Sequence, residues 1–184
     1  MAQNQCDLAL VFKALHFAAE KHKKQRRKGS DDTPYINHPI AVAYYLCTFA
    51  NICDLNVLAA AILHDALEDT DATPEEIEEQ FGRQVLKLVL EVTDDKSLPK
   101  KIRRREQENT VSQRSHGAKL IRIADKISNL NDLYHTPPSG WDSETQIEYL
   151  DWTERVINKI KGVNTGLENK YDEMLEMTRQ KYVV

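Results

Sequence analysis

The stretch "NVLAAAILHDALEDTD" (56–71) constrains this chain more than any other. Its first half is apolar on every side of a helix, so the helix must run through the interior, with other elements packed around it. Its second half packs His64, Asp65, Glu68, Asp69 and Asp71 into eight positions. In a continuous helix, residues three and four apart stack on one face. His64 then lies under Glu68, and Asp65 under both Glu68 and Asp69. The edge sits near a helix C-terminus, where the macrodipole already disfavours negative charge. A solvated acidic face is the ordinary reading of such a helix end. A buried His-Asp pair with two further acids needs partners, and a metal ion supplies them.

The rest of the chain also reads as helix, with no convincing alternating stretch. The sequence predicts a first helix over about residues 6–25, with Leu8, Val11, Phe12, Leu15 and Ala19 on one face. A second opens at His38-Pro39, with proline at its first position. The third covers about 56–69. "TPEE" (73–76) is a capping box that starts a short helix closed by Gly82, and another helix runs to about Val92. "TDDKSLP" (93–99) is a loop, and Pro99 opens a basic helix to about Gln113. A strong helix over 117–133 and two more over about 142–161 and 164–181, parted at Gly162, complete an all-α class with eight or more helices. Length, the lack of repeats and the lack of a long linker predict one domain over 1–184.

Hydrophobic content of 41% and charged content of 29% are globular values. No apolar run approaches the roughly 20 residues that span a bilayer. The first 24 residues lack a basic start and a small-residue cleavage site, so they read as a helix and not as a signal peptide. Cys6, Cys47 and Cys53 form no CxxC pair; buried, reduced thiols in a cytoplasmic protein are expected. Net charge is −4, which argues against a general nucleic-acid binder. Charge is nevertheless uneven. "KHKKQRRKG" (21–29) and "PKKIRRREQ" (99–107) are basic and 67–81 is acidic, a pattern suited to an anionic ligand.

A second acid supports the metal. In "KLIRIADKISNL", Leu120, Ile123, Ala124, Ile127 and Leu130 form the core stripe, and Asp125 and Asn129 share its flank. Pairing with a nearby base is the competing reading of Asp125, and an N-cap or core role that of His38. Together His38, His64, Asp65 and Asp125 suit a borderline or hard divalent ion such as Mn²⁺, with Fe²⁺ and Zn²⁺ also open. His16, His22, His116 and His135 fit no ligand set.

His38, then "HD" at 64–65, then Asp125 resembles the H…HD…D signature of the HD superfamily of metal-dependent phosphohydrolases. The longer strings "RRKGSDDTPYINHP" (26–39), "ILHDALEDTDAT" (62–73), "EVTDDKSLPK" (91–100), "AKLIRIADKISNL" (118–130) and "GWDSETQIEYLDW" (140–152) resemble the hydrolase domain of the RelA/SpoT alarmone enzymes. They are most similar to its stand-alone animal form, over essentially the whole chain. At this length, the synthetase domain of the bifunctional bacterial enzymes is not expected.

The resemblance implies an Mn²⁺-dependent 3′-pyrophosphohydrolase of guanosine 3′,5′-bis(diphosphate), with one Mn²⁺ held by His38, His64, Asp65 and Asp125. It implies that Glu68 and Asp69 serve the chemistry and that Arg27, Lys28, Lys100, Asn129 and Tyr149 lie around the substrate. It also implies an alternative substrate, NADPH, through a 2′-phosphatase activity at the same site. Which of Glu68 and Asp69 transfers the proton stays open. Arg26, Arg27 and Lys28 fall just before the loop to His38, within reach of a metal-bound phosphate; most of Lys21, Lys23 and Lys24 and most of "KKIRRR" are expected to be solvated, and a core role competes for Tyr149. Relatives commonly carry Arg where this chain has Asn131. A nucleic-acid module and a catalytically silent ligand sensor are the readings from other classes. The acid cluster speaks against the first, and the intact metal set against the second.

Overall fold

The computed structural model describes residues 4–29 and 32–182. Its helices are α1 (Asn4–Lys21), α2 (Asn37–Ala50), α3 (Leu55–Leu63), α4 (Ala66–Asp69), α5 (Pro74–Phe81), α6 (Arg83–Val92), α7 (Lys100–Thr110), α8 (His116–His135), α9 (Ser143–Asn158) and α10 (Thr165–Tyr182). A 3-10 turn, Val111–Gln113, follows α7. Among the described residues the extended pairing is a single Arg26–Pro34 bridge, so the all-α expectation holds. No helix among them is long and apolar enough to cross a membrane.

Two helices form the interior. Every residue of α3 from Val57 to Leu63 is buried, and α1, α2, α6 and α8 pack around it. In α8, residues 123–128 are buried without a break, including Asp125 and Lys126. α2 and α10 cover its other faces. Local chemistry explains where these helices start. Asp54 caps α3 by accepting from the Asn56 and Val57 amides, and Ser115 and Asp142 cap α8 and α9 in the same manner. The capping box of α5 has both bonds, Thr73 Oγ1 to the Glu76 amide and Glu76 to the Thr73 amide. Gly82 and Gly162, at φ of 84° and 91°, take the left-handed turns that end the segments before them.

Four expectations need correction. α1 ends at Lys21, four residues short of 25, because residues 22–29 turn back to pair with 33–35. Its buried face is Ala14, Phe17 and Ala18, whereas Leu8 and Phe12 are 57% and 66% exposed. Small alanines let α1 approach the alanine-rich α3 closely, and larger side chains on that face would hold the two apart. α2 opens at Asn37, so Pro39 is its third residue; its missing amide still falls in the first turn, where no helical partner exists. Cys47 and Cys53 are exposed, since both lie on the outer side of the α2–α3 corner. The side chain of Cys6 lies outside the described residues.

The third helix is also interrupted. The helical pattern lapses at His64–Asp65, between α3 and α4, with Asp65 at φ −97° and ψ −3°. His64 Nδ1 donates to the Ala61 carbonyl at 2.7 Å, the acceptor an unbroken helix would offer to the Asp65 amide. The histidine therefore helps to end the helix at the residue that matters most.

Candidate active site

Three elements converge on one point. The start of α2 brings His38, the α3–α4 junction brings His64 and Asp65, and the middle of α8 brings Asp125. His38, His64 and Asp65 present ligand atoms all within 4.8 Å of one another. His64 Nε2 lies 3.1 Å from Asp65 Oδ2 and 3.2 Å from His38 Nε2. Asp125 Oδ1 lies 3.4 Å from His38 Nε2 and 3.9 Å from His64 Nε2. Ligands bound at roughly 2.0–2.2 Å to one small divalent ion stand about this far apart.

The tautomers agree with that use. A carbonyl only accepts, so His64 Nδ1 must carry the proton it gives to Ala61, and in the neutral ring Nε2 is a lone pair. His38 Nδ1 meets Ser128 Oγ at 2.9 Å, leaving its Nε2 facing that of His64. With the His38 proton on Nδ1, toward Ser128, both Nε2 lone pairs face one another across 3.2 Å, an arrangement that a cation between them satisfies. The electrostatics say the same. Burial works against protonating His64, yet the Asp65 and Asp125 carboxylates lift it above its ordinary value. Burial also opposes ionising the two aspartates, yet the His64 and His38 imidazoles hold Asp65 far down, and Lys126 with His38 does so for Asp125. The residues thus fit a divalent cation by donor set, spacing and field.

Above the cluster opens a pocket of about 410 Å³. Every residue expected at the site lines it except His64, which lies beneath. Glu68 accepts from the Asp94 amide at 3.2 Å and from Arg103 at 3.3 Å. Burial, then the charges of Asp94 and Asp65, push its carboxyl up. Asp69 is paired with Lys96 and lies 3.0 Å from the Tyr35 hydroxyl. Arg27 is half-buried and committed, with Nε and Nη2 on Asp132 and Nη2 also on Asn129 Oδ1 at 2.8 Å. Asn129 in turn donates to Asp125 Oδ1 at 2.6 Å. Arg27 and Asn129 therefore brace the cluster as well as facing the pocket.

The far wall is cationic and aromatic. Tyr149 lies between Trp141 and Trp152, with ring centroids 5.5 Å away on each side. Arg104 stands 4.8 Å from the Trp152 ring and 5.5 Å from Tyr149, and Lys100 5.1 Å from Trp141. Lys28 is exposed at the rim. Burial and the neighbouring charges of Arg104 and Lys28 lower the pKa of Lys100, the mark of a cation among cations. The solvated role expected for most of "KKIRRR" does not extend to Arg103 and Arg104, because α7 turns that side toward the pocket. Sequence reasoning also passed over Tyr35, Asp94, Lys96 and Trp152. All four lie in strings already singled out at 26–39, 91–100 and 140–152, but within such strings a tyrosine or tryptophan reads as an ordinary packing residue and Asp94 and Lys96 as loop charges.

The site calls for a divalent ion and an anionic ligand, and known proteins agree on the class. An HD domain family model matches residues 14–150, and the chain belongs to that family of metal-dependent hydrolases. Within it, the chain is similar to the metazoan SpoT homologues. It is 49% identical over 168 residues to a Xenopus tropicalis protein, with 91% of this chain and 94% of that one aligned. It is 49% identical over 162 residues to a human protein, covering 88% and 90%. Both are named guanosine-3′,5′-bis(diphosphate) 3′-pyrophosphohydrolase MESH1. A solved structure, described as a metazoan orthologue of SpoT that hydrolyses ppGpp and plays a role in starvation responses, superposes with TM-score 0.89 at 45% identity. It covers 96% of this chain and 97% of that one.

Proposed function

We propose that this protein is a 3′-pyrophosphohydrolase of guanosine 3′,5′-bis(diphosphate) and its pentaphosphate analogue, releasing pyrophosphate and GDP or GTP. His38, His64, Asp65 and Asp125 would hold one Mn²⁺. When bound, the ion supplies a Lewis acid for a phosphoryl oxygen and lowers the pKa of water. The observation that carries the reading is the pocket itself, in which one continuous cavity joins the His/Asp cluster to a cationic, aromatic wall.

The chain's own groups divide the remaining work. Glu68 faces the cavity one turn beyond Asp65 and takes the proton of the attacking water, and its raised pKa suits a general base. Asp69 holds that water in line. The water oxygen bonds to the phosphorus that carries the ribose 3′-oxygen, the P–O3′ bond breaks, the departing 3′-oxygen takes up a proton as GDP or GTP, and the hydrated diphosphoryl group leaves as pyrophosphate. Lys28 and Lys100 receive the phosphates, with Arg27 and Asn129 holding their side of the pocket. Tyr149, between its two tryptophans, offers the nucleobase a stacking face.

The test uses metal-stripped protein restored with Mn²⁺ and given the guanosine alarmone and NADPH in parallel, with pyrophosphate and phosphate followed separately. Pyrophosphate from the alarmone at the higher kcat/KM is expected. Phosphate from NADPH at the higher efficiency would keep the site and replace the substrate with the 2′-phosphate of that cofactor. Neither product, with Mn²⁺ bound, would overturn the enzymatic reading in favour of a ligand sensor.

A further inference from the structure

Between the cluster and the acid pair stands a side chain that the expected ligand set does not use. The Tyr35 hydroxyl lies 2.5 Å from Asp65 Oδ2 and 3.0 Å from Asp69 Oδ2. Asp65 Oδ2 is the same oxygen that faces His64 Nε2 at 3.1 Å and His38 Nε2 at 3.5 Å. A carboxylate oxygen has two lone pairs. One can face the imidazole pair while the other takes the tyrosine proton.

The ring is mounted, not loose. The His22 imidazole stacks with it at 4.7 Å and 21°, and the Arg27 guanidinium stands 5.3 Å from its centre. His38 meets it edge-on at 5.9 Å. The Tyr35 amide donates to the Gln25 carbonyl at 3.1 Å, closing the segment back onto the end of α1. The Gln25 side chain meets His22 Nδ1 at 2.6 Å and donates to the Asp69 carbonyl. Two residues, His22 and Gln25, thus fix the ring and the backbone of Asp69 together.

We propose that Tyr35 is a positioning residue of the hydrolytic site, its hydroxyl coupling the metal-facing carboxylate of Asp65 to the acid Asp69. The inference rests on the metal-hydrolase reading above. The single O–H proton points mainly to the nearer oxygen, on Asp65, and fixes how that carboxylate addresses the ion. The same proton, shared in a longer three-centre bond, also reaches Asp69 Oδ2 at 3.0 Å and holds that acid beside the cluster, within reach of the water it orients. Outer partners of metal ligands are typically worth about 10–100-fold in metal affinity or activity.

Tyr35→Phe removes the bridge and keeps the ring with its stack. Mn²⁺ binding to stripped protein, read from the electron paramagnetic resonance of the free ion, is expected to weaken about tenfold. At saturating Mn²⁺, kcat on the alarmone is expected to fall about tenfold or more, with KM within about twofold. In an Asp69→Asn background the same change should cost little further, because groups acting as one unit are not additive. Wild-type Mn²⁺ affinity and kcat in Tyr35→Phe, with impairment confined to Tyr35→Ala, would show a structural ring and overturn the proposal. So would full recovery of kcat at saturating Mn²⁺, or costs that simply add in the double variant. If the wild-type protein binds Mn²⁺ but does not cleave the alarmone, the substrate reading fails, and the Mn²⁺ affinities still decide the role of Tyr35.

Discussion

A carboxylate that takes a proton from water must be both held and tuned, and Glu68 is held by the Asp94 amide and Arg103. The neighbour that tunes it is Asp94, whose charge stands next after burial among the causes raising Glu68. Asp94 is itself clamped by two contacts from Gln107, at 2.9 and 3.1 Å, and one from Arg122. Asp94→Asn keeps the backbone amide on Glu68 and removes the charge. A base works ionised, so the rate rises as pH passes upward through its pKa. With the like charge gone, ionisation is easier, and the acid limb of kcat/KM against pH should move to lower pH than in the wild type. A bound cation acts on both proteins, so the difference between them is the diagnostic quantity. Coincident limbs would place the limiting ionisation elsewhere. At this scale His64, Asp65 and Asp125 were legible because histidine and aspartate are out of place in strings as apolar as "AAAILHD" and "LIRIAD", whereas His38, beside a helix start, joined them only through the set as a whole. Tyr35 was not, since a tyrosine between turn formers and a helix start is ordinary.

Helices are legible where local chemistry dictates them and illegible where tertiary contacts do. Thr73, Pro74, Glu76 and Gly82 marked both ends of α5 because cap and turn act within a few residues. The break between α3 and α4 escaped notice because it depends on the rotamer of His64 and on what His38 and Asp125 present to that ring. The buried face of α1 escaped because apolar size pointed to Leu8 and Phe12, while the packing used small residues. Gly166 in the first turn of α10 is a like case, where helix propensity and tertiary contact disagree. Alanine is better than glycine in a helix by about 1 kcal/mol. Here, however, a Cβ would stand 1.9 Å from the Phe49 carbonyl oxygen at the end of α2, a backbone atom that no rotamer change can move. Forced backbone shifts cost about 1–3 kcal/mol or more. The clash should win, so Gly166→Ala is expected to melt several degrees below the wild type in a thermal scan, at about 2–4 °C per kcal/mol for a chain of this size. A higher melting temperature would mean that α10 slides on α2 freely.

In the whole molecule, the cluster is a cross-link. α2, the α3–α4 junction and α8 each contribute to it, and α3 and α8 are themselves the interior of the fold. An ion bound there ties together segments distant in sequence and binds the folded chain in preference to the unfolded one. Such a ligand stabilises by RT ln(1 + [L]/Kd), about 2.7 kcal/mol at a hundredfold excess over Kd. At about 2–4 °C per kcal/mol the melting temperature of stripped protein should rise by roughly 5–11 °C when Mn²⁺ is restored. The bare fold should still persist, because His64 pairs with Asp65, and Asp125 with Lys126 and Asn129, without the ion. His64→Ala removes a ligand and should abolish most of the Mn²⁺-dependent rise. Ligands must be deprotonated to bind, so the rise should also shrink as pH falls and the imidazoles take up protons. A wild-type melting temperature indifferent to millimolar Mn²⁺, and equal in this respect to that of His64→Ala, would leave the two facing imidazoles to be bridged by a proton instead of a metal.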